Sequence, residues 1–166
     1  MFREIDRSRW LFLFLLVLAG RASAQNATPA TPVTPLIGTW RLNMALSIFP
    51  SGPPSYARVT CRIEPWEDGL KVVYDMIGTR GGVTHWEWTG RLDGKDYALE
   101  GVEEVVTNAY SRLDDYTFAI VTKLDGRPTT TTRIVISPDR KIMTVTSPAT
   151  NAQGQRVVNT AIYEKL

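Results

Sequence analysis

From Leu36 onward the chain alternates apolar and polar side chains in short runs, and each run closes on a turn signal. A two-residue period places successive side chains on opposite faces of an extended strand. Ten runs follow from it: Ile37–Asn43, Tyr56–Glu64, Leu70–Ile77, Val83–Arg91, Tyr97–Gly101, Ala109–Leu113, Tyr116–Lys123, Thr129–Ser137, Lys141–Ser147 and Arg156–Lys165. They are rich in Val, Ile, Thr, Tyr and Trp, which suit a pleated, half-buried surface. The pairs Asp68-Gly69, Asp93-Gly94 and Asp125-Gly126 supply the positive φ angles of tight hairpins. Gly81-Gly82, Asp114-Asp115, Ser137 to Arg140 and Asn151 to Gln155 interrupt the chain in the same way. A helical period is wanting after residue 36, with one or two turns allowed over Asn43 to Phe49 before Pro50 stops them.

Ten short strands joined by hairpins read as an all-β, antiparallel up-and-down meander. Closing it into a barrel of eight to ten strands removes the exposed edges. Alternation also bears on what such a barrel contains. In the last run Val157, Asn159, Ala161 and Tyr163 share one face, and Val158, Thr160, Ile162 and Glu164 the other. In the eighth, Thr130, Thr132, Ile134 and Ile136 oppose Thr129, Thr131, Arg133 and Val135. Neither face is purely apolar, which points to an interior with a partly polar cavity.

The first 24 residues differ from the rest. Arg3, Arg7 and Arg9 precede the apolar run Trp10 to Ala19, and Ala22-Ser23-Ala24 follows. Basic, apolar and small segments in that order predict a secretory signal peptide, cleaved after Ala24. The run is about half the length a spanning helix needs, so the mature product is expected to carry no transmembrane segment and to be secreted or periplasmic. Residues 25–35 are rich in Thr and Pro, with Pro29, Pro32 and Pro35 spaced by three, and read as an extended spacer. Residues 36–166 remain as the barrel domain. Removing the leader takes four Arg and two acids from totals of 19 basic and 17 acidic residues, leaving 15 of each. A balanced charge argues against nucleic-acid binding. Cys61 is the one cysteine. It shares parity with Val59 and Ile63 and reads as a small core residue rather than a reactive thiol. No Cys or His spacing suggests a metal site, no Gly-rich loop suggests a phosphate-bearing cofactor, and no nucleophile motif stands out.

Gly38-Thr39-Trp40 resembles the opening signature of the lipocalins, and Gly38 to Leu42 is also similar to the first strand of the intracellular fatty-acid-binding proteins. Thr160 to Lys165 is similar to the closing strand of the latter. Together with Ser51-Gly52-Pro53-Pro54, His85-Trp86-Glu87, Asp93 to Tyr97 and Asn151 to Gln155, these segments resemble a family of small exported bacterial lipocalin-like proteins within the calycin superfamily. The resemblance implies a ligand-binding barrel in which Gly38 and Trp40 are structural, Trp40 plugging the closed end. It also implies a basic residue near the ligand, for which Arg133 stands as a candidate. Where fatty-acid-binding proteins carry an Arg two positions before the Tyr matched by Tyr163, this chain has Ala161. Their two lid helices have no room between Met44 and Ser55, a stretch holding Pro50, Pro53 and Pro54.

The expected function is non-covalent binding of an apolar or amphipathic small molecule, without a cofactor, by a monomer. Ring and aliphatic walls supply affinity by burial; the candidates are Tyr74, Trp86, Trp88, Phe118, Ile134 and Tyr163, with Arg133 and Tyr163 orienting the ligand. Two alternatives stand beside it. His85 and Glu87 share a strand face and would serve a hydrolase or isomerase if that face were inward. If Trp86 and Trp88 occupy the interior instead, that pair is solvated. A filled barrel would act through its outer surface on another protein or the cell envelope.

Overall fold

The protein is described here by a computed structural model covering residues 34–166, so the leader and most of the spacer lie outside the described residues. Ten strands follow one another: β1 Gly38–Leu42, β2 Tyr56–Trp66, β3 Gly69–Gly78, β4 Val83–Gly90, β5 Tyr97–Glu100, β6 Val106–Arg112, β7 Thr117–Leu124, β8 Arg127–Ile136, β9 Ile142–Thr150 and β10 Arg156–Lys165. Each pairs antiparallel with its sequence neighbour, and β1 also pairs with β10, closing the sheet into a barrel. No helix occurs among the described residues, and the Asn43–Phe49 stretch makes only a turn, its Asn43 Oδ1 accepting from the amides of Ala45 and Leu46 at 3.0 and 3.2 Å.

Two of the ten runs are notably longer than the alternation suggests. β6 starts at Val106 rather than Ala109, and β9 runs on through Pro148 to Thr150. Pro148 is tolerated because β9 pairs with β8 only over Met143 to Thr146, leaving the proline side of β9 without a neighbour. The Asp125-Gly126 hairpin is as expected, with φ of 50° and 74°. The first hairpin is not: its turn is Glu67-Asp68, with Glu67 at φ 48°, and Gly69 already pairs with Trp66 inside β3.

The core fills one end of the barrel. Trp40, Trp88, Phe118, Leu36, Leu70, Ile136, Met143 and Cys61 are all fully buried there. The packed body reaches slightly upstream of Leu36, since Thr34 is buried and its carbonyl accepts from the Ile37 amide at 3.2 Å. Trp40 donates its indole N–H to the Leu36 carbonyl at 2.8 Å, which satisfies its polar edge without water. The Lys165 ammonium lies 5.0 Å from the Trp40 ring centre and donates to the Ile37 carbonyl at 2.7 Å. To get there, the lysine stem crosses over Gly38, whose φ is 147°, where any Cβ would run into Lys165 Cε. The Gly-x-Trp signature therefore has a local cause: the glycine clears a path for the cation that covers the tryptophan.

Gly38→Ala is expected to lower stability by about 1–3 kcal/mol from the φ strain together with the steric conflict. Urea unfolding of Gly38→Ala, Lys165→Ala and the double variant checks this. The double variant should lose less than the sum of the two, because removing the lysine stem relieves the conflict; strict additivity would contradict it.

Candidate functional site

Above the packed end the barrel is hollow. A cavity of about 310 Å³ lies between Trp86 and Tyr74 on one wall and Ile134, Val145, Ala161 and Tyr163 on the other strands. Leu42, Val59, Met76 and Ile120 add aliphatic surface, and Tyr56 and Tyr110 add rings. Phe49 and Pro54 come from the Asn43–Ser55 strap rather than from a strand. The strap is held across β10 by reciprocal amide–carbonyl bonds between Ile48 and Thr160, both 2.8 Å. Asn159 secures it again, donating Nδ2 to Ser51 Oγ at 2.8 Å. A short strap holding Pro50, Pro53 and Pro54 thus crosses this end of the barrel.

The strand period decides which side chains reach this space. Tyr74, Trp86, Ile134 and Tyr163 line it together, and the Tyr74 and Trp86 rings stack with centres 4.2 Å apart and planes 20° apart. Trp88 and Phe118 share their inward direction but lie in the packed layer below, fully buried and away from the cavity. Trp88 is held there by an indole bond to the Asn108 carbonyl at 3.1 Å and by contact with Tyr97 and Tyr110. Arg133 is exposed, because it neighbours the buried Ile134 in β8 and adjacent residues of a strand cannot face the same way. Other groups line the cavity.

Those groups are neutral. Asn108, Thr122 and Thr132 are the polar non-aromatic side chains of the lining, which contains no Lys, Arg, His, Asp or Glu. Asn108 is buried, and its Oδ1 accepts from the Thr122 hydroxyl at 2.8 Å. It escapes the sequence reading because β6 was expected to begin one residue after it, at Ala109. Its parity with Tyr110 was the available signal. Towards the cavity floor Tyr74 sits opposite the buried Cys61 across the β2–β3 pair and shares the lining with Tyr163. Burial pushes the thiol up to about 12 and carries the hydroxyls of Tyr74, Tyr110 and Tyr163 well above the ordinary phenol range. Cys61 is thus an inert core thiol, and the tyrosines present neutral hydroxyls.

His85 and Glu87 occupy the outer face of β4, opposite to Trp86 and Trp88. There His85 Nδ1 lies 2.7 Å from Asp75 Oδ1 and Nε2 lies 3.3 Å from Glu87 Oε1, while Lys71 Nζ is 2.6 Å from Glu87 Oε2. The result is a solvated row of alternating charge across β3 and β4, with no enclosed space for a substrate. Among the described residues no group of three or more His, Cys, Asp or Glu could hold a metal ion. Set against protein-family profiles, curated proteins and solved structures, the chain has no significant match.

The hydrogen bond to Asp75, helped by that to Glu87, raises the His85 pKa above its ordinary 6.5. The Lys71 contact, followed by that of His85, lowers Glu87 below its ordinary 4.5. A raised imidazole contributes stability that is full below about 6.5 and fades as pH rises through the folded value. A lowered carboxyl contributes above about 4.5, and that is lost as pH falls through its folded value. Both contributions are therefore complete only between about pH 4.5 and 6.5. His85 is the sole histidine, so NMR titration of the untagged protein reads one imidazole. Its midpoint should lie above 6.5 and fall toward that value in Asp75→Asn. An unchanged midpoint would show that the Asp75 contact does not persist in solution.

Proposed function

We propose that this chain is an exported, monomeric, lipocalin-like β-barrel that binds an apolar or amphipathic small molecule non-covalently. One observation carries the reading: the upper half of the barrel holds a partly open cavity walled by rings and aliphatic side chains while the lower half is filled by buried side chains. Cavities of this kind, mostly apolar with a few convergent polar groups, are the usual form of a small-molecule site. At ~30 Å³ per water, the space equals that of about ten water molecules, which suits a ligand of one or two rings. Export rests on the Arg-rich, apolar and small-residue order of the first 24 residues. The lipocalin-like kinship rests on Gly38-x-Trp40, on the closing Thr160 to Lys165 segment and on the ten-strand meander. Catalysis by His85 and Glu87 gains no support, since both face solvent away from the cavity.

Native mass spectrometry of protein purified from its own host is expected to show a co-purifying small molecule. Ala161→Phe fills the cavity from a lining position and should reduce the bound fraction at least tenfold, with far-UV circular dichroism unchanged. Retention of the same molecule by a folded Ala161→Phe variant would place binding elsewhere.

A further inference from the structure

The cavity wall carries information about charge as well as shape. Seventeen residues line it, and none carries a formal charge at neutral pH. An ionised carboxylate, phosphate or ammonium entering it would lose much of its hydration and find no counter-charge. Arg133, the nearest candidate on β8, points outward, and Ala161 on β10 offers only a methyl group. The floor hydroxyls of Tyr74, Tyr110 and Tyr163 resist ionisation, so the protein does not supply a charge of its own over the physiological range.

What the wall does offer is a fixed amide. Asn108 is 6% exposed, and Thr122 occupies its Oδ1 at 2.8 Å. An asparagine amide carries two N–H donors on Nδ2; the side-chain bond of Asn108 uses its oxygen, and because no fully buried polar side-chain atom goes unpaired among the described residues, Nδ2 is reached from the cavity that Asn108 lines. A donor held in place by a neighbouring hydroxyl and open to an apolar cavity favours an acceptor oxygen on the occupant. Next to it the Tyr74–Trp86 stack supplies a rigid aromatic wall.

Building on the small-molecule reading above, we infer that the site selects an uncharged ring compound bearing a carbonyl or comparable acceptor oxygen, received by Asn108, and discriminates against its carboxylate analogue. Selection works by cost as much as by gain. An acceptor oxygen takes the Asn108 donors, a plain hydrocarbon leaves them unpaired, and a carboxylate brings a charge that nothing in the wall balances.

Three naphthalene probes test it by isothermal titration calorimetry on the mature, untagged protein: naphthalene, 2-acetylnaphthalene and 2-naphthoate. At pH 7 the acetyl compound should bind at least tenfold more tightly than the naphthoate and several-fold more tightly than naphthalene. Lowering the pH toward the acid's own pKa should strengthen naphthoate binding and leave the acetyl compound unaffected. Asn108→Leu should remove the advantage of 2-acetylnaphthalene over naphthalene while naphthalene still binds. If that variant does not fold, Thr122→Val, which frees the amide to turn, should narrow the same advantage. Naphthoate binding as tightly as 2-acetylnaphthalene at pH 7, or an acetyl advantage that survives Asn108→Leu, overturns the inference but leaves the cavity reading standing. Failure of all three probes to bind the folded wild-type protein overturns the cavity reading, and the inference with it.

Discussion

The barrel depends on one short strand. β1 has five residues, yet it bonds β2 on one side and β10 on the other, and without it those two strands would be free edges. Its position is fixed by the knot of Gly38, Trp40, Leu36 and Lys165. The indole is tied to the chain just upstream, and the cation from the last strand lies over its face. Closure is therefore a contact between the two ends of the described chain, mediated by a buried ring. Lys165 bears on the signature as well: its stem lies across Gly38, whose φ of 147° already favours glycine.

The same shortness makes room for the cavity. β1 ends at Leu42, while β10 extends well beyond the level at which β1 leaves it. The strap takes over that stretch of β10 through Asn43, Ser47, Ile48 and Ser51, and sends Phe49 and Pro54 inward. A regular strand would have continued the wall; the strap folds partly across the opening. Pairing is also thin on the far side, where β5 holds β4 and β6 by two residue pairs each.

Much of this is legible from the alternation alone. Ten runs gave ten strands, and the opposition of His85 and Glu87 to Trp86 and Trp88 follows from the two-residue period. Parity says which face a residue takes; it does not say how far along the barrel it sits. Trp86 and Trp88 share a face, yet one lines the cavity and the other is sealed in the core, because that difference lies along the strand axis. Arg133 entered as a candidate through family resemblance, against its own parity with exposed neighbours, and the strand geometry puts it outside. Asn108 was hidden for a different reason: asparagine commonly marks turns, and here it ends up inside a strand with its amide braced by Thr122. The strap carries no periodic signal at all, since prolines and side chain to backbone bonds set its path.

The central physical claim is that one end of the barrel is packed and the other hollow. Crystals of the protein pressurised with xenon test it directly, because the gas enters apolar cavities and is located by its anomalous scattering. Xenon should appear beside Ile134, Val145, Ala161 and Trp86, with none beside Trp40, Trp88 or Phe118. A xenon-free upper barrel, with Phe49 and Tyr56 collapsed into the space between those strands, would contradict it.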